Sequence, residues 1–221
     1  MSAKGLVPLV VSLALCAGAI VAGSLELQPL LTAGSSAGTY AALAEAPPPA
    51  GLSIPSQQAA LRSCVEALTS IQQQAQPRLV SDRVNANCAS LARDTLGANP
   101  VHSFAWYVLA AAAVERGDLD ESVVALQRSQ QTGQAEQWVG EIRVELAERI
   151  RPLVGDEALA FIDRDLAMLV QSRSGIGAIA HRYVSQPGFR ARITEIVETL
   201  SEEDQARFVG WVASVIRSVR S

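Results

Sequence analysis

From Ser56 to the end of the chain, apolar residues recur three and four positions apart, and this spacing limits the possible folds more than any other feature. Such a period is that of one face of an α-helix. Aromatic residues make up only 5% of the sequence, and alternating runs of β-branched residues, which would favour strands, are absent. The sequence therefore predicts an all-α fold. Two early stripes illustrate the period: Ala60, Leu61, Cys64, Leu68 and Ile71, then, after Pro77, Val80, Val84, Cys88 and Leu91.

The N-terminal segment 5–23, GLVPLVVSLALCAGAIVAG, contains no charged residue. A bilayer core requires about 20 apolar residues, so the segment is long enough to cross a membrane. We predict a transmembrane anchor over residues 1–23. The alternative is a signal peptide cleaved after the small residues 21–23. Cys16 follows Leu15, where a lipidation motif has a small residue, and is expected to be part of the span.

The charges beside this segment predict its orientation. Lys4 and the α-amino group precede it, whereas Glu26 and Glu45 follow it. The positive-inside rule then places the N-terminus in the cytoplasm. We expect a single-pass protein of the bacterial inner membrane, with a flexible linker rich in Ala and Pro over residues 24–55 and a periplasmic helical domain over residues 56–221.

Cys64 and Cys88 lie at similar distances before and after Pro77. If the chain reverses at this proline, two antiparallel helices bring the cysteines to about the same level. An oxidising periplasm permits a disulfide. The alternative is two buried free thiols, since cysteine is often a small core residue.

The stretch FAWYVLAAAAVERGDLDESVVALQRS predicts a tight helical hairpin. Gly117 ends the first helix, and Asp118 and Glu121 form a capping-box pattern at the start of the second. Small residues on the first helix allow close packing of the second. The expected packing residues are Pro100, Trp106, Leu109, Ala110, Ala113, Gly117 and Leu126.

These residues also resemble the tetratricopeptide repeat family, which has an aromatic, a leucine and small residues in its first helix and a Gly-Asp turn. The resemblance covers residues 78–146. It departs from the family at Ser122 and Ser129, where alanine is preferred, and in its spacing, since Trp138 follows Trp106 by 32 residues. An unrelated Ala-rich hairpin is the alternative. The resemblance implies a short α-solenoid with extra packing helices at its C-terminal end.

The resemblance further implies a scaffold or adaptor that binds a protein partner of an envelope machine for secretion, motility or polysaccharide export. The partner would occupy a groove lined by the first helices of the repeats. The positions expected to face this groove are Ser103, Tyr107, Ala111 and Glu115.

A second hypothesis is direct binding of an anionic glycan or lipid. Between Asp165 and Glu195 the chain has no acidic residue, and a cluster of cations can bind an anionic ligand. The alternative is a solvated basic surface. The candidate residues are Arg173, His181, Arg182, Arg190 and Arg192.

The sequence contains no catalytic motif, and its two histidines lack partners at metal-ligand spacing. We therefore expect no enzyme activity, no cofactor and no metal. The net charge of -4 argues against nucleic-acid binding. The small residues Gly18, Ala19, Ala22 and Gly23 leave a homo-oligomer possible.

Overall fold

The computed structural model describes residues 3–32 and 36–220, which form α-helices and short 3-10 turns and contain no strand. This confirms the all-α prediction. The chain divides into two compact units, Met1–Pro100 and Val101–Ser221, whereas the sequence predicted one domain over residues 56–221. Over the described residues, no helix is both long and apolar enough to cross a bilayer.

The first unit is built around a pair of helices joined by a disulfide. Cys64 and Cys88 are bonded, with their Cα atoms 5.5 Å apart, and both are fully buried. The predicted pairing is confirmed. The helices of this unit are α1 (Ala3–Thr32), α2 (Ser36–Glu45), α3 (Ile54–Leu68), α4 (Ile71–Ala75) and α5 (Arg78–Ala98).

The chain between α3 and α5 does not continue as one helix up to Pro77. The Thr69 hydroxyl donates to Val65 O (2.8 Å), and Ser70 accepts from the Gln73 amide (3.1 Å) as the cap of α4. Such local bonds compete with helix continuation. As a result Ile71, which was assigned to the apolar stripe, is 85% exposed.

Part of the predicted linker is packed structure. In α2, Tyr40 and Leu43 are buried. Tyr40 Oη donates to Gln73 Oε1 (2.7 Å), and Asn87 Nδ2 donates to Leu43 O (2.7 Å). The prediction of a flexible linker over residues 24–55 is therefore wrong for α2, because two large apolar residues are enough to dock one short helix.

The end of α1 is also tied to the unit. The Glu26 carboxylate accepts from the Leu52 amide (2.6 Å) and from the Ser53 amide and hydroxyl (2.7 and 2.6 Å). These bonds, first of all that from the Ser53 side chain, lower the pKa of Glu26. A carboxylate at this position also complements the positive end of α3.

The second unit is a compact set of seven α-helices within the described residues. Two short 3-10 turns, Glu157–Ile162 and Pro187–Phe189, connect some of them. The helices are α6 (Ser103–Arg116), α7 (Leu119–Thr132), α8 (Gln137–Val154), α9 (Asp163–Gln171), α10 (Gly175–Ser185), α11 (Arg190–Glu198) and α12 (Glu202–Arg220).

The predicted hairpin is confirmed as α6 and α7. Gly117 has φ +78°, a left-handed conformation that favours glycine at the end of a helix. Asp118 accepts from the Glu121 amide (3.0 Å). Leu109, Ala110, Ala113 and Leu126 are buried as expected, whereas Trp106 is only half-buried.

A fully buried ion pair joins the helices of this unit. Arg143 on α8 donates from Nε and Nη2 to the two oxygens of Asp165 on α9, each at 2.7 Å. Its guanidinium also donates to Ser129 O (3.2 Å) and Gly133 O (3.1 Å) at the end of α7. Burial raises the pKa of Asp165, while the bonds and charge of Arg143 oppose the rise.

The Ser129 hydroxyl extends the network by donating to Ser103 O (2.8 Å) in α6. The Ser129 hydroxyl thus gives a buried backbone carbonyl of α6 a side-chain hydrogen bond. The network fixes four consecutive helices around one guanidinium.

Replacement of both disulfide cysteines by serine should lower the free energy of unfolding by about 3 kcal/mol, since the bridge closes a loop over a sequence separation of 24. Urea denaturation of the oxidised protein and the variant measures this difference. Mass spectrometry without reductant provides the control. Two free thiols in material exported to an oxidising compartment would contradict the bridge.

Replacement of Arg143 by methionine should destabilise the protein by about 3–5 kcal/mol, because Asp165 is left as an uncompensated buried charge. The double variant Arg143→Met, Asp165→Leu should recover part of this loss. Denaturant melts of the single and double variants measure the coupling. Equal stability of the two variants would show that the pair is solvated.

Candidate binding surface

The residues expected to face a groove on α6 are mostly in the core. Ser103, Tyr107 and Ala111 are buried, and Glu115 is half-buried and paired with Arg149 (3.3 Å). The expectation that these positions present a partner-binding face is therefore wrong. The physical reason is that α6 is apolar on nearly every side, a property of helices that are covered all round.

Tyr107 is the clearest case. The side chain is 5% exposed and its ring stacks on that of Phe104, with centroids 6.1 Å apart. Burial raises the pKa of Tyr107 to about 12, and the nearby negative charge of Glu145 adds to the rise. The phenol is a core group, so it offers no anchor for a partner.

The five cations of the second hypothesis do not converge on one site. Arg173 and His181 are exposed, whereas Arg182 and Arg192 are half-buried. Arg182 pairs with Glu145 (3.9 Å) and lies over the ring of Phe189 (5.6 Å). Arg192 is neutralised by Asp163 and by the more distant Glu148 and Asp156 (3.8 Å each).

Arg190 has a different environment. Its Nε donates to Tyr183 O (2.8 Å) and its Nη2 to Val184 O (2.9 Å), so it caps the last carbonyls of α10. The guanidinium lies 5.9 Å from the centre of the Tyr183 ring. A cation at the C-terminal end of a helix is favoured by the helix dipole. Arg190 is thereby held as a fixed, exposed charge.

An apolar groove lies between the end of α10 and the second half of α12. Its volume is about 360 Å³. Residues from both sides line it: Tyr183, Val184, Arg190, Val212, Ile216 and Val219. We call this surface the α10–α12 groove.

Val212, Ile216 and Val219, which form one wall of the groove, belong to a longer apolar stripe on α12. Val209, Val212, Ile216 and Val219 follow each other at intervals of three, four and three, which places them on one helix face. Val209 and Val219 are 64% and 69% exposed. Val212 is half-buried, whereas these two ends of the stripe contribute little to holding α12 against its own unit.

A different face of α12 performs that task. Phe208 is buried and contacts Tyr183 edge-on, with ring centroids 5.7 Å apart. Trp211 lies against α10 at Gly177, where a Cβ atom would be 3.3 Å from the indole ring. Helix α12 thus has one docked face and one exposed apolar face.

The chain matches no protein-family model, and no curated protein or solved structure is significantly similar to it. The tetratricopeptide resemblance stays a prediction. Among residues 3–32 and 36–220, no group of three His, Cys, Asp or Glu side chains could hold a metal ion.

Replacement of Tyr107 by phenylalanine should leave the free energy of unfolding near neutral pH little changed. It should also reduce the loss of stability that the wild-type protein shows at alkaline pH. An unfolded tyrosine ionises near pH 10, whereas the folded phenol keeps its proton up to about 12. The wild-type protein therefore loses stability as the pH rises from about 10 to 12. Denaturant melts across this range measure the effect. Tyr183→Phe, which changes a half-buried phenol, is the matched control, and equal alkaline slopes for wild type and Tyr107→Phe would contradict the burial.

Proposed function

We propose that the protein is a non-catalytic scaffold or adaptor that holds a helical segment of a protein partner in the α10–α12 groove. The observation that supports this most is the exposed stripe of β-branched residues on α12. Contiguous apolar surface is unfavourable in water and commonly marks an interaction site. A partner helix lying beside such a stripe uses anchors at intervals of three and four.

The groove replaces the α6 surface in this proposal, and the rest of the sequence-based hypothesis is retained. The disulfide supports an oxidising compartment. With the anchor predicted at residues 5–23, it favours an inner-membrane protein with a periplasmic helical part. The proposed partner belongs to an envelope assembly for secretion, motility or polysaccharide export, and this step rests on location and on the tetratricopeptide resemblance.

Direct binding of an anionic glycan or lipid is the competing function. The pairing of Arg182 and Arg192 with acidic side chains weakens it, since a neutralised cation attracts an anion less. If this competing function were correct, binding of the glycan or lipid would require Arg182 and Arg192 and would not require the apolar stripe of α12.

A photo-reactive residue at Val219 should form a discrete protein adduct in intact cells, because a partner helix would lie within contact distance of the stripe. The same residue at Val124, which is 58% exposed on α7, is the matched control and should form none. Gel analysis and mass spectrometry of the adduct provide the measurement.

The apolar contact can be tested in the same cells. Val219→Ser in a protein that carries the reactive residue at Ile216 should reduce the adduct several-fold, whereas Val124→Ser should not. Adducts of equal yield from positions 124 and 219, or a recovered glycan with no protein adduct, would overturn the proposed function.

A further inference from the structure

We infer that the segment bound in the α10–α12 groove is an acidic amphipathic helix. This inference rests on the proposed function, since it specifies the chemistry of the partner. Two independent observations carry it: the apolar stripe of α12 and the one-sided charge of the chain segments that build the groove.

The segments that form the groove contain arginines and no acidic residue. Residues 166–194 include α10 and the start of α11, and residues 205–221 include all but the first turn of α12. Neither segment has an Asp or a Glu. Their arginines are Arg173, Arg182, Arg190, Arg192, Arg207, Arg217 and Arg220. Arg182, Arg192 and Arg207 are paired with acidic side chains, so the positive charge that can select a negatively charged partner at the groove is that of Arg190.

Acidic residues occur on three elements of this unit that neighbour the groove, α12, α11 and α8. On α12 they are confined to the first turn, Glu202, Glu203 and Asp204. Ile216 is twelve residues beyond Asp204, or about 18 Å along the helix, which exceeds the Debye length of about 8–10 Å at physiological salt. On α11, Glu195 is exposed more than one turn beyond Arg190. On α8, Glu145 faces Arg182.

Arg190 places a charge in the wall of the groove itself. Its two bonds to the carbonyls of Tyr183 and Val184 hold the guanidinium beside the apolar floor. Because these acceptors are neutral carbonyls, the positive charge of Arg190 is not cancelled by them. A carboxylate on a bound helix could therefore pair with Arg190 while the apolar side chains of that helix contact Val212, Ile216 and Val219.

A second copy of α12 does not fit this charge pattern. Parallel pairing of two α12 helices along their stripes would bring Arg217 of one copy near Arg217 of the other. Like charges brought together across an interface reduce affinity. A flat lipid surface is also a poor match, because the apolar residues line a cleft between two helices, which a convex segment fills better.

The test uses the full-length protein in detergent and a labelled synthetic peptide of about 15 residues, designed as a helix. Leucines follow a spacing of three and four on one face, and glutamates occupy the other positions. Two control peptides are matched in length: one has lysine in place of every glutamate, and one has the acidic sequence scrambled so that the apolar face is lost. Fluorescence anisotropy measures binding.

We expect the acidic peptide to bind at least tenfold more tightly than either control and to lose affinity as salt is added. Arg190→Gln should weaken it several-fold and reduce the salt dependence, whereas Arg190→Lys should keep the salt dependence. Arg128→Gln, which removes an exposed arginine on α7, is the matched control. Val219→Ser should weaken binding without changing the thermal midpoint, because Val219 is exposed.

Failure of the acidic peptide to bind, or equal binding of the lysine peptide, would overturn the inference. Binding of anionic vesicles with the same dependence on Val219 and Arg190, at a strength that displaces the peptide, would identify a lipid surface as the occupant instead. If the Val219 adduct still forms in cells while the peptide does not bind, the proposed scaffold function survives and only the acidic chemistry of its partner is rejected.

Discussion

The buried ion pair between Arg143 and Asp165 is the constraint on which the second unit depends. A buried guanidinium is tolerated only if its donors are satisfied, and here the acceptors come from α9 and from the end of α7. The Ser129 hydroxyl continues the network into α6. These helices must therefore be in place together, and this fixed body is the platform on which α10 and α12 form the groove.

Much of this architecture follows from local sequence. The hairpin of α6 and α7 could be predicted because Gly117 and Asp118 define its turn by short-range chemistry alone. The disulfide could be predicted because Cys64 and Cys88 lie at similar distances before and after Pro77. Two antiparallel helices that rise equally per residue bring such positions side by side. Both inferences use only distances along the chain, so they need no knowledge of how the helices are arranged in space.

The orientation of α6 and the position of the groove depend on that arrangement. Tyr107 was assigned to the surface because an aromatic next to a packing face can be either exposed or covered, and only the placement of α8 decides. The sequence of α12 does contain a signal for the groove, because its valines and Ile216 form an apolar face beside the one that contains Phe208. The burial of Arg143 could not be predicted, because the sequence alone does not distinguish a buried arginine from an exposed one before its partner is known.

The disulfide also affects how the first unit responds to cleavage. The segment between α3 and α5 contains the short α4, in which Ile71 is exposed, and exposed connections are preferred sites of protease attack. A cut there would fall inside the loop closed by Cys64 and Cys88. The two fragments would stay covalently joined, so the α3–α5 pair would remain together after cleavage of this exposed link.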